Sequence, residues 1–448
     1  MSAEVYTGLY GENRTMVANG SCGVMNSLRE DALAAFEKFG LPTSRQEEYL
    51  HTDVSEWFEP DWGMNLGRVR IPVEISERFR CSVPNLSTLT YFLANDRFVA
   101  SDSSQRASLA DGVIIGGLCE QAGLFPDRIS GFYGKLADMR RPGIAALNTL
   151  FAQDGFVVIV PDGVSIEKPV QLVTLLQSPV DMMVTRRVLV VLGRGSRLKL
   201  LVCDHSTDSK NYLVNQVTEV FAGEDSSLEL YDLEETAHTN KRVSELFIRQ
   251  EAGSSVRMAG VTLNNGMTRN SVYVTLAGRG ASLTLDGVAV ADGSQHVDNL
   301  TFVDHQVPDC QSDELFKYVL DGDAVGSFAG KVLVREGSQR TVSQQTNRNI
   351  CMKRTARMFT QPQLEIYADD VKCSHGATVG QLDDKALFYM RQRGISESDA
   401  RTLLMMAFTD EVISRIGLEP LQQRLRHLVE RRFKSGSNLC EGCQVCKI

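Results

Sequence analysis

The sequence predicts a mainly β protein: a solenoid of stacked coils flanked by helical regions at both ends. Three observations predict it. From Gly155 onward, short runs rich in Val, Leu and Ile alternate with polar residues, as in "RRVLVVLGRGSRLKLLVCDH". Small-residue turns return at a near-constant interval: Ser165, Ser196, Ser227, Ser255 and Ser282 are separated by 31, 31, 28 and 27 residues, and Ser338 follows 56 later. A βαβ crossover needs roughly ten or more residues of helical period between strands, and none is readable there. Strands that stack on the preceding coil share one long core, while polar corners such as "GRGS", "GEDSS" and "EAGSS" face water. The alternative is a β-sandwich. It requires hairpin turns, and "NNG" at 264–266 is a candidate for one.

The elements follow in order. Residues 1–150 read as a mixed, largely helical region. In "NSLREDALAAFEKFGLP", Ser27 and Glu30 have capping-box spacing, Leu33, Phe36 and Phe39 share a helical face, and Gly40 with Pro42 stops the helix. "TSRQEEYLHTDVSEWF" reads as a docked loop with a short helix rather than a ligand site. "GIAALNTLFAQ" is the last helix before the period changes. Residues 151–381 form the strand series. Residues 382–433 return to helical period: Ser396 and Asp399 are spaced as a second capping box, Leu404, Phe408 and Val412 recur every four residues, and Leu421, Leu425 and Leu428 line one side of a further helix. A helical pair there can cap the open stack or present a docking face, and the pattern leaves both open. Residues 434–448 read as a flexible, Cys-rich tail.

Composition narrows the function. The 448 residues are 43% hydrophobic and 23% charged, as in an ordinary folded protein of two or three structural units. A net charge of -9 argues against nucleic acid as the main partner. No run approaches the roughly 18 apolar residues of a membrane span. No secretory signal is readable, so the scattered cysteines read as thiols in a cytoplasmic protein. No GxxxxGK[ST] loop is present, and "LGRGSR" at 192–197 has too few glycines and no following helix for a dinucleotide loop. His305 and Cys310 in "DHQVPDC" read as a surface loop rather than a ligand pair, and His427 as part of a solvated helix face.

The densest chemistry lies in "DDVKCSHGATVGQLDD", residues 369–384. If the strand continues through it, Cys373 and His375 point to one face. Thiolate and imidazole together hold soft transition metals or an iron–sulfur intermediate, but two ligands do not complete a site. Gly376 and Gly380 would allow a close backbone approach. The plainer reading is a buried Cys and a hydrogen-bonded His at a junction. Asp369, Asp370, Asp383 and Asp384 keep a rival in view, a solenoid hydrolase or lyase acting on a polymer.

A resemblance changes the weight of these readings. "GSFAGKVLVREGSQRTVSQQTNRNI" and "PQLEIYADDVKCSHGATVGQLDDKALFYMRQRGIS" resemble the SufD branch of the SufB/SufD family, scaffolds of the SUF system for iron–sulfur cluster assembly. "GLPTSRQEEYLHTDV" resembles that family's N-terminal motif. The resemblance implies a right-handed parallel β-helix and a non-catalytic scaffold role. It implies a transient iron–sulfur cluster shared with the paralogue SufB, paired through the β-helix ends. It implies the ATPase SufC docked on the C-terminal helices, with no nucleotide site on this chain and only indirect contact with the sulfur donor. His375 is the implied iron or nascent-cluster ligand and Cys373 the weaker one. Cys440, Cys443 and Cys446 of "CEGCQVC" depart from the family pattern. Their spacing suits Zn or Fe–S ligation without a fourth ligand, and a reduced unbound tail, transient metal contact and a redox pair are all open.

Overall fold

The computed structural model describes residues 3–72, 86–99 and 109–435. Two sheets face each other, and successive strands alternate between them. The first sheet contains Leu89–Ala94, Val170–Leu176, Arg197–Ser206, Ser227–Glu235, Ser255–Asn264, Ser282–Ala291, Gln311–Leu320, Thr341–Cys351 and Val371–Gly380. The second contains Gly155–Val160, Met182–Leu192, Tyr212–Ala222, Lys241–Gln250, Met267–Leu276, His296–His305, Val325–Val334 and Arg357–Ile366. All these neighbours pair in parallel, so each coil lays one strand on each sheet. This is the β-solenoid expected from the repeat. Its sheets also take in residues upstream of 151, because Leu89–Ala94 pairs with Val170–Leu176. Each sheet begins with an antiparallel strand, Arg97–Val99 in the first and Ile114–Gly117 in the second.

The core is the space between the sheets. Side chains alternate across each strand. Leu198, Leu200, Leu228, Leu230, Val256 and Leu283 point inward from one side. Val188, Val190, Val220, Ile248, Val272 and Val274 meet them from the other. Each such side chain, fully buried, contributes roughly 1.5–3 kcal/mol. The recurring serines belong to the corners. Ser227, Ser255 and Ser282 stack in register, and Ser165 bridges to Arg197 one coil on. Buried Ser196 and Ser254 donate to carbonyls three residues earlier, those of Gly193 and Glu251, which satisfies acceptors that a buried corner would otherwise strand.

"NNG" is a solenoid corner and not a hairpin. Ser255–Asn264 and Met267–Leu276 lie in different sheets. A Cβ at Gly266 would fall 2.1 Å from the carbonyl oxygen of His238 on the coil below, so the stacked backbones leave room for glycine alone.

Helices cover the outer faces. The N-terminal helices Ala3–Asn19 and Arg29–Phe39 join Ile144–Phe151 against the second sheet, where Tyr6, Tyr10, Phe36, Leu147 and Leu150 meet Met183, Leu213 and Val243. The capping box expected at Ser27 does not form. Leu28 is the N-cap residue, and the Ser27 hydroxyl donates to the Val24 carbonyl in the preceding turn. The buried face is Arg29, Ala32 and Phe36, with Leu33 and Phe39 half-buried. Arg29 reaches the free carbonyls of Thr149 and Ala152 at the end of Ile144–Phe151, at 2.9 and 2.8 Å. That is where an orphaned, partly negative helix terminus favours a cation.

At the other end of the chain, Asp384–Gln392, Glu397–Ile413 and Glu419–Ser435 are helical. Ser396 does cap its helix, accepting from the Asp399 N–H. The last two helices do not close the open end of the stack. They lie along the outer face of the first sheet, where Val412, Ile413, Leu421, Leu425 and Val429 cover Leu201, Tyr231, Leu233, Val261 and Val288. Arg432 pins the final helix through Asp292 at 2.9 Å and the Leu263 carbonyl at 3.0 Å. Among the described residues, no helix is long and apolar enough to cross a membrane.

Candidate functional site at the solenoid rim

The last coil consists of Arg357–Ile366 and Val371–Gly380, each hydrogen-bonded to one neighbouring strand. Both are half-buried to exposed along their length, unlike the strands beneath them. The strand runs unbroken through Cys373 and His375, so the pair shares a face, as alternation requires. Cys373 is half-buried and packs against the core, and burial raises its thiol above the usual range. His375 is exposed. Among the described residues, Gly376 and Gly380 mediate no close approach: nothing lies within 4 Å of where a Cβ would stand on either, and the space beside the histidine is open.

Beneath this rim the interior changes character. Along Thr341–Cys351 the inward residues are Thr341, Ser343, Gln345, Asn347 and Asn349, all polar and all buried. Ser343 is in register with Cys373, and Gln345 with His375. The Gln345 amide donates to Glu314 at 3.0 Å, and the Thr301 hydroxyl donates to the same carboxylate at 2.6 Å. Burial lifts Glu314 to about 7, against the pull of those two hydrogen bonds. Gly330 makes the arrangement possible, because a Cβ there would sit 2.4 Å from the Gln345 side-chain nitrogen. The Gln345 side-chain oxygen is buried and has no hydrogen-bond partner among the described residues. A second polar thread runs from His305 to Ser312 at 2.9 Å and on to Ser343 at 2.8 Å.

His305 therefore corrects the expectation of a surface loop. It is fully buried, and burial lowers its pKa to about 4, so it is neutral. Cys310 is buried as well, and its thiol donates to the Gly278 carbonyl rather than meeting His305. His427 is exposed, as expected.

The N-terminal motif docks beside the rim, as its loop reading expects. His51 stacks on Phe359 with ring centroids 3.9 Å apart. Glu47 accepts from Gln363 at 3.2 Å, and the Thr52 hydroxyl meets His296 at 2.9 Å. Two of the four acidic residues that kept a polymer-cleaving site in view take part in local structure. Asp383 caps the helix Asp384–Gln392, and Asp370 takes part in the corner before the last strand. Among the described residues, no group of three or more His, Cys, Asp or Glu side chains is placed to hold a metal ion. Cys373 and His375 remain a pair of donors, and Cys440, Cys443 and Cys446 lie outside the described residues.

Sequence reading found the two rim donors but not the polar floor of Glu314, Gln345, Thr301 and Gly330. The signal was present: the inward positions of "QSDELFKYVL" and "TVSQQTNRNIC" carry Ser, Glu, Gln and Asn where earlier coils carry Leu and Val.

These features define a β-solenoid whose last coil carries a Cys and a His on a strand edge that is unpaired among the described residues. Comparison with known proteins gives the family. The SUF system FeS cluster assembly SufBD core domain matches residues 175–408, and the SufBD protein N-terminal region matches residues 1–172. An iron–sulfur cluster assembly SufBD family protein of Synechocystis is 28% identical over 430 residues, covering 94% of each chain. The iron–sulfur cluster assembly protein SufD of Escherichia coli is 35% identical over 175 residues, 39% of this chain and 41% of its own length. SufD of Bacillus subtilis is 26% identical over 297 residues, 65% of this chain and 67% of its own. The chain belongs to the SufBD family of the SUF iron–sulfur cluster assembly system, with a general scaffold role, and its likenesses are consistent with the SufD branch.

Proposed function

We propose that this chain is the SufD-type subunit of a SufB–SufC–SufD complex and contributes His375 to an iron–sulfur cluster under construction. The observation that carries the reading is the open rim. An exposed imidazole and a half-buried thiol share one face of a strand whose outer edge has no neighbour among the described residues. Two donors leave a metal ion incompletely ligated, so the remaining ligands must come from the surface that covers the rim. Val342, Ile366, Tyr367 and Val379 are exposed around it and suit the end of a second, paralogous solenoid. The cluster is cargo held between subunits.

The chemistry follows from the donors. A neutral imidazole offers one ring nitrogen to iron and keeps an N–H on the other, which the unpartnered Gln345 oxygen one strand below is suited to accept. Cys373 starts as a thiol raised by burial, so it ligates only when an arriving cation displaces its proton. His375, exposed on the strand edge, is the primary ligand in this reading, and half-buried Cys373 the second. ATP hydrolysis belongs to SufC, whose docking face on this chain includes exposed Phe388, Tyr389 and Leu403 on the C-terminal helices. Motion of those helices would reach the rim through the strand Gln311–Leu320, where Lys317 donates to the Phe408 carbonyl at 2.9 Å. The test is iron and acid-labile sulfide per complex after anaerobic reconstitution. His375→Ala is expected to lower both severalfold while partner binding and circular dichroism are unchanged, and Cys373→Ser to have an equal or smaller effect. Wild-type iron and sulfide in the His375→Ala complex would sink the proposal.

A further inference from the structure

The solenoid interior holds a second polar region, deeper than the floor of the rim. A cavity of about 40 Å³ lies there, between the two sheets. It exists because side chains run out at one level of the stack. Val202, Asp232, Gly260, Gly287 and Phe316 are in register on successive strands of the first sheet, and all five line the cavity. Two neighbouring glycines thus stand where another level carries Leu198, Leu228, Val256 and Leu283. The Phe316 ring covers Gly287, where a Cβ would fall 2.3 Å from it, whereas a Cβ at Gly260 would meet only the Met258 methyl, at 3.6 Å. Packing leaves space beside Gly260 that a side chain would fill.

The walls of this space are polar. Three of their atoms are buried without a hydrogen-bond partner among the described residues: Arg242 Nε, Asp232 Oδ1 and Asn270 Oδ1. Arg242 donates to the other Asp232 oxygen, and the Asn270 amide donates to Asn299 at 3.1 Å, so each side chain has one polar atom used and one left over. One donor and two acceptors suit a guest that both gives and takes hydrogen bonds. Water does, and a cavity of about 40 Å³ accommodates roughly three molecules.

The same cavity touches two carboxyl systems. Glu234 lines it and accepts from the Thr268 hydroxyl at 2.8 Å. Thr301 lines it too, and the Thr301 hydroxyl donates to Glu314 at 2.6 Å, which leaves the Thr301 oxygen to accept from the cavity. Burial lifts both carboxyls to about 7. For Glu234 it does so against Arg242 and Thr268, with Asp204 and Asp232 adding to the rise; for Glu314 it does so against Thr301 and Gln345, with Asp313 adding to it. Two groups of matched acidity exchange a proton at little cost.

We propose that water in this cavity joins Glu234 to Glu314 through Thr301 and forms a proton pathway along the solenoid interior. Glu234 gives its proton to a water molecule, the water passes one to Thr301 Oγ1, and Thr301 releases its own to Glu314. The relay ends neutral, and one carboxylate replaces the other. Glu314 lies two strands beneath His375, about 10 Å by strand spacing. A cation bound at the rim favours ionised carboxylates below it, so protons leave the lumen and a counter-charge stays behind. That use rests on the role proposed for His375; the pathway itself does not.

The experiment follows the protonated carboxyl groups of the full chain by infrared spectroscopy after transfer to heavy water, just below neutral pH. Glu234→Gln and Glu314→Gln assign the two bands. In Thr301→Val the Glu234 band should exchange at least about tenfold more slowly than in the wild type, and Thr301→Ser should restore the rate. A high-resolution crystal structure of the wild type should show ordered water within hydrogen-bonding distance of Arg242 Nε, Asp232 Oδ1 and Thr301 Oγ1, and it decides alone should the variants fail to fold. Unchanged Glu234 exchange in Thr301→Val, or a cavity without ordered water, would overturn the proposal. Neither measurement involves a metal, so the result stands apart from that of the iron assay.

Discussion

Glu314 shows how a single residue sets the conditions around the rim. Burial lifts its carboxyl from an ordinary 4.5 to about 7, so the folded state binds its proton more tightly than the unfolded chain does. The contribution is fully favourable below about pH 4.5 and diminishes as pH rises, with the loss complete above about pH 7. Glu314→Gln removes that titration and keeps an oxygen acceptor for Thr301. Its stability, measured by urea unfolding, should fall less than that of the wild type between about pH 5 and pH 8, by on the order of 2–3 kcal/mol. Parallel profiles would show that Glu314 stays ionised through both states. The partners of this residue were not legible in advance. Register decides that Gln345 lies between Glu314 and His375, and register follows from coil length, which varies along this chain. Cys373 and His375, two positions apart on one strand, needed only alternation to be read together.

Helices and strands were legible to different depths. Period alone marks Glu397–Ile413 and Glu419–Ser435 as helices, but not the surface they cover. The apolar outer faces of the first-sheet strands, such as Tyr231 and Leu233, look from sequence like more core. This placement changes the way ATPase docking should be tested. Deleting residues 384–435 would strip the cover from that sheet, so loss of binding there would be confounded with damage to the fold. Phe388→Ala, Tyr389→Ala and Leu403→Ala together remove exposed side chains only. SufC affinity should fall at least roughly tenfold with an unchanged melting curve. Full affinity in the triple variant would place the docking face elsewhere. Ser396→Ala, by contrast, removes a true N-cap and should cost about 1 kcal/mol in unfolding free energy. Ser27→Ala should cost less, because Ser27 caps no helix.

At the scale of the molecule, the stack is polarised. Antiparallel strands Arg97–Val99 and Ile114–Gly117 begin the two sheets, and the parallel edges of Arg357–Ile366 and Val371–Gly380 end them. The repeat legible in the serine spacing identifies a solenoid but not this difference between its ends, since a repeat looks the same read from either direction. Exposed apolar residues flank the second end, with Ile366 and Tyr367 at the close of one terminal strand and Val379 on the other. Val379→Lys places a charge beside that edge, a device by which sheets resist pairing. It should weaken association with SufB, measured by co-elution, while leaving the monomer folded. Unchanged co-elution would argue that the partner seats away from the strand edge.

The polarity also bears on how far assembly can proceed. A rod that is adhesive at both ends adds units without limit, whereas one with a single adhesive end is used up in its first encounter. Joined rim to rim, two such rods bury the edges of Arg357–Ile366 and Val371–Gly380 against each other, and where only that end pairs the growth law is that of a dimer. Titrating this chain with its paralogue, followed by light scattering, should therefore reach a plateau at equimolar mixing. Concentrating the mixture should yield more pairs and no filaments.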